Sequence, residues 1–287
     1  MKKGYLYVLA GASLWGTLPL ACRFVYSFGA DSVTAAAARA YLAALIFAFI
    51  FLVKGTFRQI KPRDIPFYIV YGITGVGGTF LFYMLAVERL STAMASILLY
   101  TAPAFVILFS RIFYKEKITR TKLLALLGTT LGSALVLRVY DPSFFTVNIP
   151  NIIIGLLSGI SYSLVTVLGR LAEKKAAPEV NSGLMIIFGS LIFLVIKPPA
   201  AIPVPDLPTL AGYIYLAVFG SVLPYILYLK GLGCGIDGGY ASVTASVEPV
   251  VATVLCAAVF REGIELLQVI GILTVFISVA FAVKSKN

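Results

Sequence analysis

Apolar residues in this chain come in long unbroken runs, with neither the alternation of a half-buried strand nor the narrow stripe of a surface helix. Ten runs, at roughly 4–26, 33–53, 67–87, 92–113, 122–139, 150–170, 180–197, 209–229, 240–260 and 264–283, approach or reach the length a helix needs to cross a bilayer, which is about 20 residues. They leave only short termini and nine short loops. The pattern therefore predicts an all-α integral membrane protein of ten transmembrane helices, with no room for a separate soluble domain. The first run follows Lys2 and Lys3 and outlasts the ~7–15-residue core of a secretory signal, so it is expected to stay as a helix.

A second pattern runs through the first. Laying SILLYTAPAFVILFSRIFYKE, Ser96 to Glu116, on SVTASVEPVVATVLCAAVFRE puts Ser96 on Ser242, Tyr100 on Ser246, Pro103 on Pro249 and Glu116 on Glu262, at an offset of 146 in a chain of 287. Gly75, Phe80 and Tyr83 fall on Gly220, Tyr225 and Tyr228 at 145, and Trp15 and Arg23 fall on Tyr162 and Arg170 at 147. Self-similarity at about half the chain length points to a duplicated unit, here residues 1–143 and 144–287. Five helices per half is an odd number, so the second half is expected to enter the membrane the other way up. Two inverted five-helix repeats can close one side of a central site while opening the other.

Composition agrees with the runs: 60% of residues are hydrophobic, 12% are charged and the mean hydropathy is +0.98. The net charge of +11 would suggest nucleic acid in a soluble protein. Here the cations lie between apolar runs, where they face anionic headgroups, and no nucleic-acid partner is expected. With both termini cytoplasmic, 17 of the 23 Lys and Arg, from Lys2 and Lys3 through Lys61, Lys115, Lys122 and Lys175 to Lys284 and Lys286, fall on the inner side, the bias that fixes topology. Cys22, Cys234 and Cys256 have no paired or metal-type spacing. There is no histidine, which removes the usual general base and metal ligand. Only Glu248 among the twelve acids is central to a run, whereas paired-acid chemistry needs two. No phosphate loop or Rossmann fingerprint is present, so neither enzyme nor cofactor is expected.

The spacing Ser-x3-Tyr-x2-Pro with Glu thirteen residues after the proline, and Ser-x3-Ser-x-Glu-Pro with a terminal Glu in the second half, resembles the EamA family of the drug/metabolite transporter superfamily. The resemblance takes in nearly the whole chain, including Trp15, Arg39, Gly128 and Gly271. It implies ten helices, cytoplasmic termini, a cavity lined mainly by helices one, three, four, six, eight and nine, and export of amino acids or related small metabolites by alternating access. The chain departs from its own symmetry at two charges: Arg39 answers to Met185 or Ile186, and Glu248 answers to Ala102.

Ionisable groups deep in a membrane are costly and are functional or paired. Glu248, on a face with Tyr240 and Thr244, could bind a substrate amine or a proton, or bond backbone freed by Pro249. Arg39 could hold a substrate carboxylate, form a structural pair, or snorkel to the interface. Rings and hydroxyls at matched depth complete the expected substrate site: Trp15, Thr17, Thr79, Tyr83, Tyr100, Tyr162, Tyr225, Tyr228 and Thr244, with Arg39 and Glu248. Against this, Ser and Thr also bond helix to helix, and end-of-helix tyrosines such as Tyr26, Tyr68 and Tyr114 form interfacial belts. The expectation is a multi-pass exporter of the cell (inner) membrane, monomeric or homodimeric, whose partners are a small molecule, the lipid bilayer and, if Glu248 carries them, protons. A passive facilitator or channel, or a multidrug exporter, is the alternative.

Overall fold

The computed structural model describes residues 2–90, 92–140 and 149–284, and every regular element among them is helical. The chain winds through ten stretches: α1 (Lys2–Ser27), α2 (Ser32–Lys54), α3 (Pro62–Arg89), α4 (Thr92–Tyr114), α5 (Arg120–Val136), α6 (Ile149–Ala172), α7 (Pro178–Ile196), α8 (Leu207–Gly233), α9 (Gly238–Phe260) and α10 (Leu266–Lys284). Nine are long and apolar enough to span a bilayer. The tenth, α5, has 17 residues and runs along α10. The expected division between residues 143 and 144 lies outside the described residues, as does Lys286.

Local chemistry sets the boundaries. The Asp31 carboxylate accepts from Thr34 N at 2.8 Å to start α2, Gly55 ends that helix in the left-handed region at φ 62°, and the Asp206 carboxylate accepts from Thr209 N at 2.9 Å to start α8. Such caps satisfy amides that the first turn of a helix leaves unpaired.

Within the spans the helices are interrupted, and the interruptions repeat. In α4 the helix stops at Leu99 and resumes at Ala102; in α9 it stops at Ala245 and resumes at Glu248. Pro103 and Pro249 follow the breaks, each lacking an amide for the carbonyl four residues back. A π-helical segment occupies Gly72–Gly77 in α3 and Val218–Val222 in α8. Lys115 and Arg261, just past α4 and α9, both adopt φ 55°. These pairs are separated by 146 positions, or 145 at the ends of the π-segments, as the sequence matches are to within one residue. The duplication is thus carried by backbone geometry as well as by side chains.

The halves interleave. α1 packs on α8 and α6 on α3, while α4 lies against α6 and α9 against α1. Small residues permit the closest approaches: a Cβ at Gly72 would lie 2.6 Å from Gly189 N, and one at Gly271 would lie 2.7 Å from Gly132 O. Large exposed apolar side chains, among them Leu45, Phe49, Leu127 and Leu131, occupy the lipid-facing perimeter that composition requires.

Candidate functional site

The broken helices, with the parts of α3 and α8 that flank their π-segments, surround a cavity of about 970 Å³. It runs from exposed rim residues, Arg23, Tyr26, Arg138 and Glu262, down to a floor at Glu248. The restart of α9 puts Glu248 in the first turn of a new helical segment, where the break turns its side chain into the cavity.

Its carboxylate accepts hydrogen bonds from Tyr100 Oη on Oε1 at 3.1 Å and from Tyr162 Oη on Oε2 at 3.5 Å. Neither oxygen repairs the backbone beside Pro249. Trp15, 3% exposed, forms the adjoining wall, with its ring 5.0 Å from Tyr225, 5.5 Å from Tyr228 and 5.9 Å from Tyr162, separations at which aromatic pairs attract.

Arg39 enters the same cavity from α2, and its partners explain why it is there. Pro224 has no amide to offer the Gly220 carbonyl, four residues back in α8, and Arg39 Nη2 donates to that oxygen at 2.7 Å. Nε donates to Ser221 Oγ at 2.7 Å, and the guanidinium lies over the Phe80 ring at 4.4 Å from its centre. In the other half, Pro224 answers to Thr79 at the offset of 145 that relates these helices and Arg39 answers to Met185 or Ile186, so the proline and the arginine that serves it are absent together. Among the described residues Nη1 makes no hydrogen bond, and Arg39 and Glu248 line one cavity without forming an ion pair. A snorkelling arginine, one of the sequence expectations, is not what the fold contains.

Of the eleven residues expected at the site, Trp15, Arg39, Thr79, Tyr83, Tyr100, Tyr162, Tyr225 and Glu248 line this cavity. Three do not. Thr17 donates to Leu14 O at 2.7 Å and accepts from Tyr215 Oη at 3.0 Å, because the break after Trp15 rotates it off the cavity face. Thr244 is fully buried and bonds Tyr240 O at 2.7 Å, since the break after Ala245 separates its face from that of Glu248. Tyr228 lies beneath the floor, its hydroxyl 2.7 Å from Thr166 Oγ1. Thr79 lines the wall but gives its proton to Gly75 O at 2.7 Å, and Tyr83 Oη lies 3.0 Å from Ser96 Oγ.

The cavity also contains residues that the sequence reading left out, notably Cys22, Ser96 and Gln268. Helical spacing held the signal for one of them: Ser96 is four residues before Tyr100, on the same face.

Below the floor the molecule is closed. Tyr68 Oη donates to Asn181 Oδ1 at 2.6 Å, Asn181 Nδ2 donates to Ala172 O and Ala176 O at 2.9 and 2.8 Å, and Lys175 Nζ reaches Asp64 at 2.5 Å. Just beyond α6, Glu173 has a carboxyl pushed up to about 7 by burial, against the pull of Arg170 and Lys174.

A polytopic helical membrane protein whose described residues enclose a large cavity, open at one end and lined by two opposite charges that form no ion pair with each other, has the architecture of a solute carrier. Comparison with known proteins narrows this. The sequence profile of the EamA-like transporter family matches twice, over residues 2–138 and 149–284, and the chain belongs to that family of membrane transporters. It is 25% identical over 287 residues to an uncharacterized transporter of Archaeoglobus fulgidus, covering 100% of both chains. It is also 25% identical over 290 residues to the uncharacterized inner membrane transporter YicL of Salmonella typhimurium, covering 97% of this chain and 94% of YicL. A crystal structure at 18% identity superposes with a TM-score of 0.80 over 99% of this chain and 98% of the other, a likeness of fold.

Proposed function

We propose that this transporter carries a small organic metabolite bearing both an amine and a carboxylate, an amino acid or a close relative, by alternating access between two inverted halves, 1–143 and 144–287. One observation carries the reading: Glu248 and Arg39 line one cavity, each hydrogen-bonded to other groups and, among the described residues, not to each other, with aromatic rings around them. A zwitterion satisfies both charges at once, the ammonium on Glu248 and the carboxylate on Arg39 Nη1, while its side chain lies against Trp15 and Tyr225. Such charge pairing in a low-dielectric cavity is what makes an intramembrane ion affordable.

The distribution of Lys and Arg supports cytoplasmic termini and therefore an open end on the outer side, consistent with an exporter captured after release. Energy comes from exchange or from protons passing through Glu248, a carboxyl able to take up and release one.

The deciding experiment is a thermal-shift screen of the purified transporter against amino acids, their amides, their deaminated acids and simple amines, followed by flux in proteoliposomes for every hit. A ligand of the native state raises its melting temperature by mass action. The reading predicts that stabilisation requires both charged ends and that hits give saturable flux. Stabilisation by deaminated acids alone, or flux that does not saturate, overturns it, the latter in favour of a passive facilitator.

A further inference from the structure

The same three-residue unit ends α4 and α9. Tyr114-Lys115-Glu116 and Phe260-Arg261-Glu262 are 146 residues apart, and in both the middle residue adopts φ 55°, a left-handed turn that folds the following glutamate back over the helix end. Each glutamate then receives an arginine from the other half of the chain. Arg170 pairs with Glu116 and lies over the Tyr114 ring, 5.0 Å from its centre. Arg23 pairs with Glu262 at 2.7 Å and lies over the Phe260 ring at 4.6 Å. Since Arg23 answers to Arg170, the two ion pairs are one device built twice, at opposite ends of the molecule.

The two copies are in different states. Arg23 and Glu262 sit on the open rim of the cavity with their side chains 49% and 50% exposed. Glu116 is 12% exposed and shares its charge with Lys122, which is 3% exposed and reaches Glu116 at 3.3 Å and Asp237 at 2.6 Å. Neither Glu116 nor Lys122 nor Asp237 lines the cavity. They close the opposite end. The position answering to Lys122 on the open side is Gln268, which donates to Val136 O at 3.0 Å.

Resting on the alternating-access reading above, we propose that the cluster of Arg170, Glu116, Lys122 and Asp237 latches the closed gate, and that the Arg23–Glu262 pair, formed on the open rim, lacks the low exposure and the second cation needed to hold its own gate shut, so that the conformation open at the Arg23 end is the resting state. An ion pair with good geometry and low exposure is costly to break one partner at a time. The open end has a further ion pair, Arg138–Glu265 at 3.0 Å, but it is about half exposed and does not touch Glu262; a second, buried cation on the latch glutamate at one gate only therefore biases an otherwise symmetric exchange, and a bias between two states is all that a population shift requires.

The test removes the Lys122–Asp237 pair without leaving an unpaired charge. In a background lacking the native cysteines, one reporter is Cys22 restored in the open cavity and the other is Ser242→Cys, which lies beneath the floor. A soluble maleimide is applied to each in the purified full-length transporter. With Lys122→Gln/Asp237→Asn, labelling at Ser242→Cys is expected to rise and labelling at Cys22 to fall, each by at least about fivefold, the lower bound of ordinary allosteric coupling. Gln268→Lys, which adds a cation to the opposite latch without removing anything from the closed one, is expected to shift both reporters in the same directions and serves if the double variant does not fold. Arg23→Gln/Glu262→Gln should leave Ser242→Cys protected.

Reciprocal changes carry the proposal. Labelling that rises at both positions together means a loosened structure and overturns it. Unchanged labelling in the latch variants also overturns it, provided that wild-type protein shows reciprocal labelling when transported ligand is added. If the wild type never exposes Ser242→Cys during measurable flux, alternating access itself is wrong and the latch falls with it.

Discussion

Replacing Glu248 by Gln changes one charge and almost nothing else. The amide keeps the shape, its oxygen accepts from one tyrosine hydroxyl, and its N–H donates to the oxygen of the other, so the links to Tyr100 and Tyr162 survive as neutral bonds. The fold also no longer has to bury a carboxylate, so the melting temperature should stay within a few degrees of wild type. Binding should change far more. Two unit charges about 4 Å apart attract by about 4 kcal/mol at an effective dielectric near 20, and the substrate ammonium recovers part of this from the neutral amide oxygen. A net loss of about 2–4 kcal/mol follows, which at about 1.4 kcal/mol per decade weakens Kd by about 30- to 700-fold. Titration calorimetry of the best ligand from the screen measures this directly. In proteoliposomes saturated with ligand, Glu248→Gln should still exchange substrate downhill yet fail to accumulate it against a gradient on an imposed proton gradient. Affinity within threefold of wild type, with uphill transport intact, would refute the assignment of Glu248 to both amine and proton.

Other expectations concern different parts of the fold. Gly72→Ala should destabilise by about 1–3 kcal/mol, the usual cost of overpacking, because its Cβ meets Gly189 N and Met185 O at 2.6 Å, whereas Gly75→Ala, whose nearest neighbour is a Val165 methyl at 3.4 Å, should be tolerated; comparing their melting temperatures checks the contrast. Glu173 binds its proton more tightly in the folded protein, about 7 against the ordinary 4.5, so wild-type stability should fall as pH rises through that interval, and melting curves of Glu173→Gln should lack that portion of the fall. Trp15→Ala should weaken ligand binding while leaving a monodisperse protein, as seen by size exclusion after calorimetry. A cysteine placed at Lys61 should resist an impermeant thiol reagent added outside intact cells while one at Asp206 reacts; both positions are exposed, and equal labelling would reject opposite sides for these two loops.

Hydrophobic length alone was enough to read the membrane class and the helix count to within the short α5, because a helix in lipid must satisfy its own backbone and so needs a run of fixed length; the duplication was legible in residue matches spaced by about half the chain. The backbone freed by Pro249 in α9 was equally visible, being a covalent property of the residue, although the break itself, and its copy before Pro103 in α4, came from the fold. Which polar side chains face the cavity was not. Thr17 and Thr244 lie on the expected faces of continuous helices, but the breaks after Trp15 and Ala245 change the helical phase, and one residue of unwinding turns a side chain by roughly 100°. The purpose of Arg39 was also hidden, since it serves a carbonyl beside Pro224, 181 positions away from it in sequence at Gly220. The sequence likewise aligned Arg23 with Arg170 and Glu116 with Glu262 but held no sign that each arginine pairs with the glutamate of the other half, or that one pair is buried and the other exposed. Those facts depend on how two similar halves pack, and similar sequences can be packed in two states; only tertiary contacts select which end is closed.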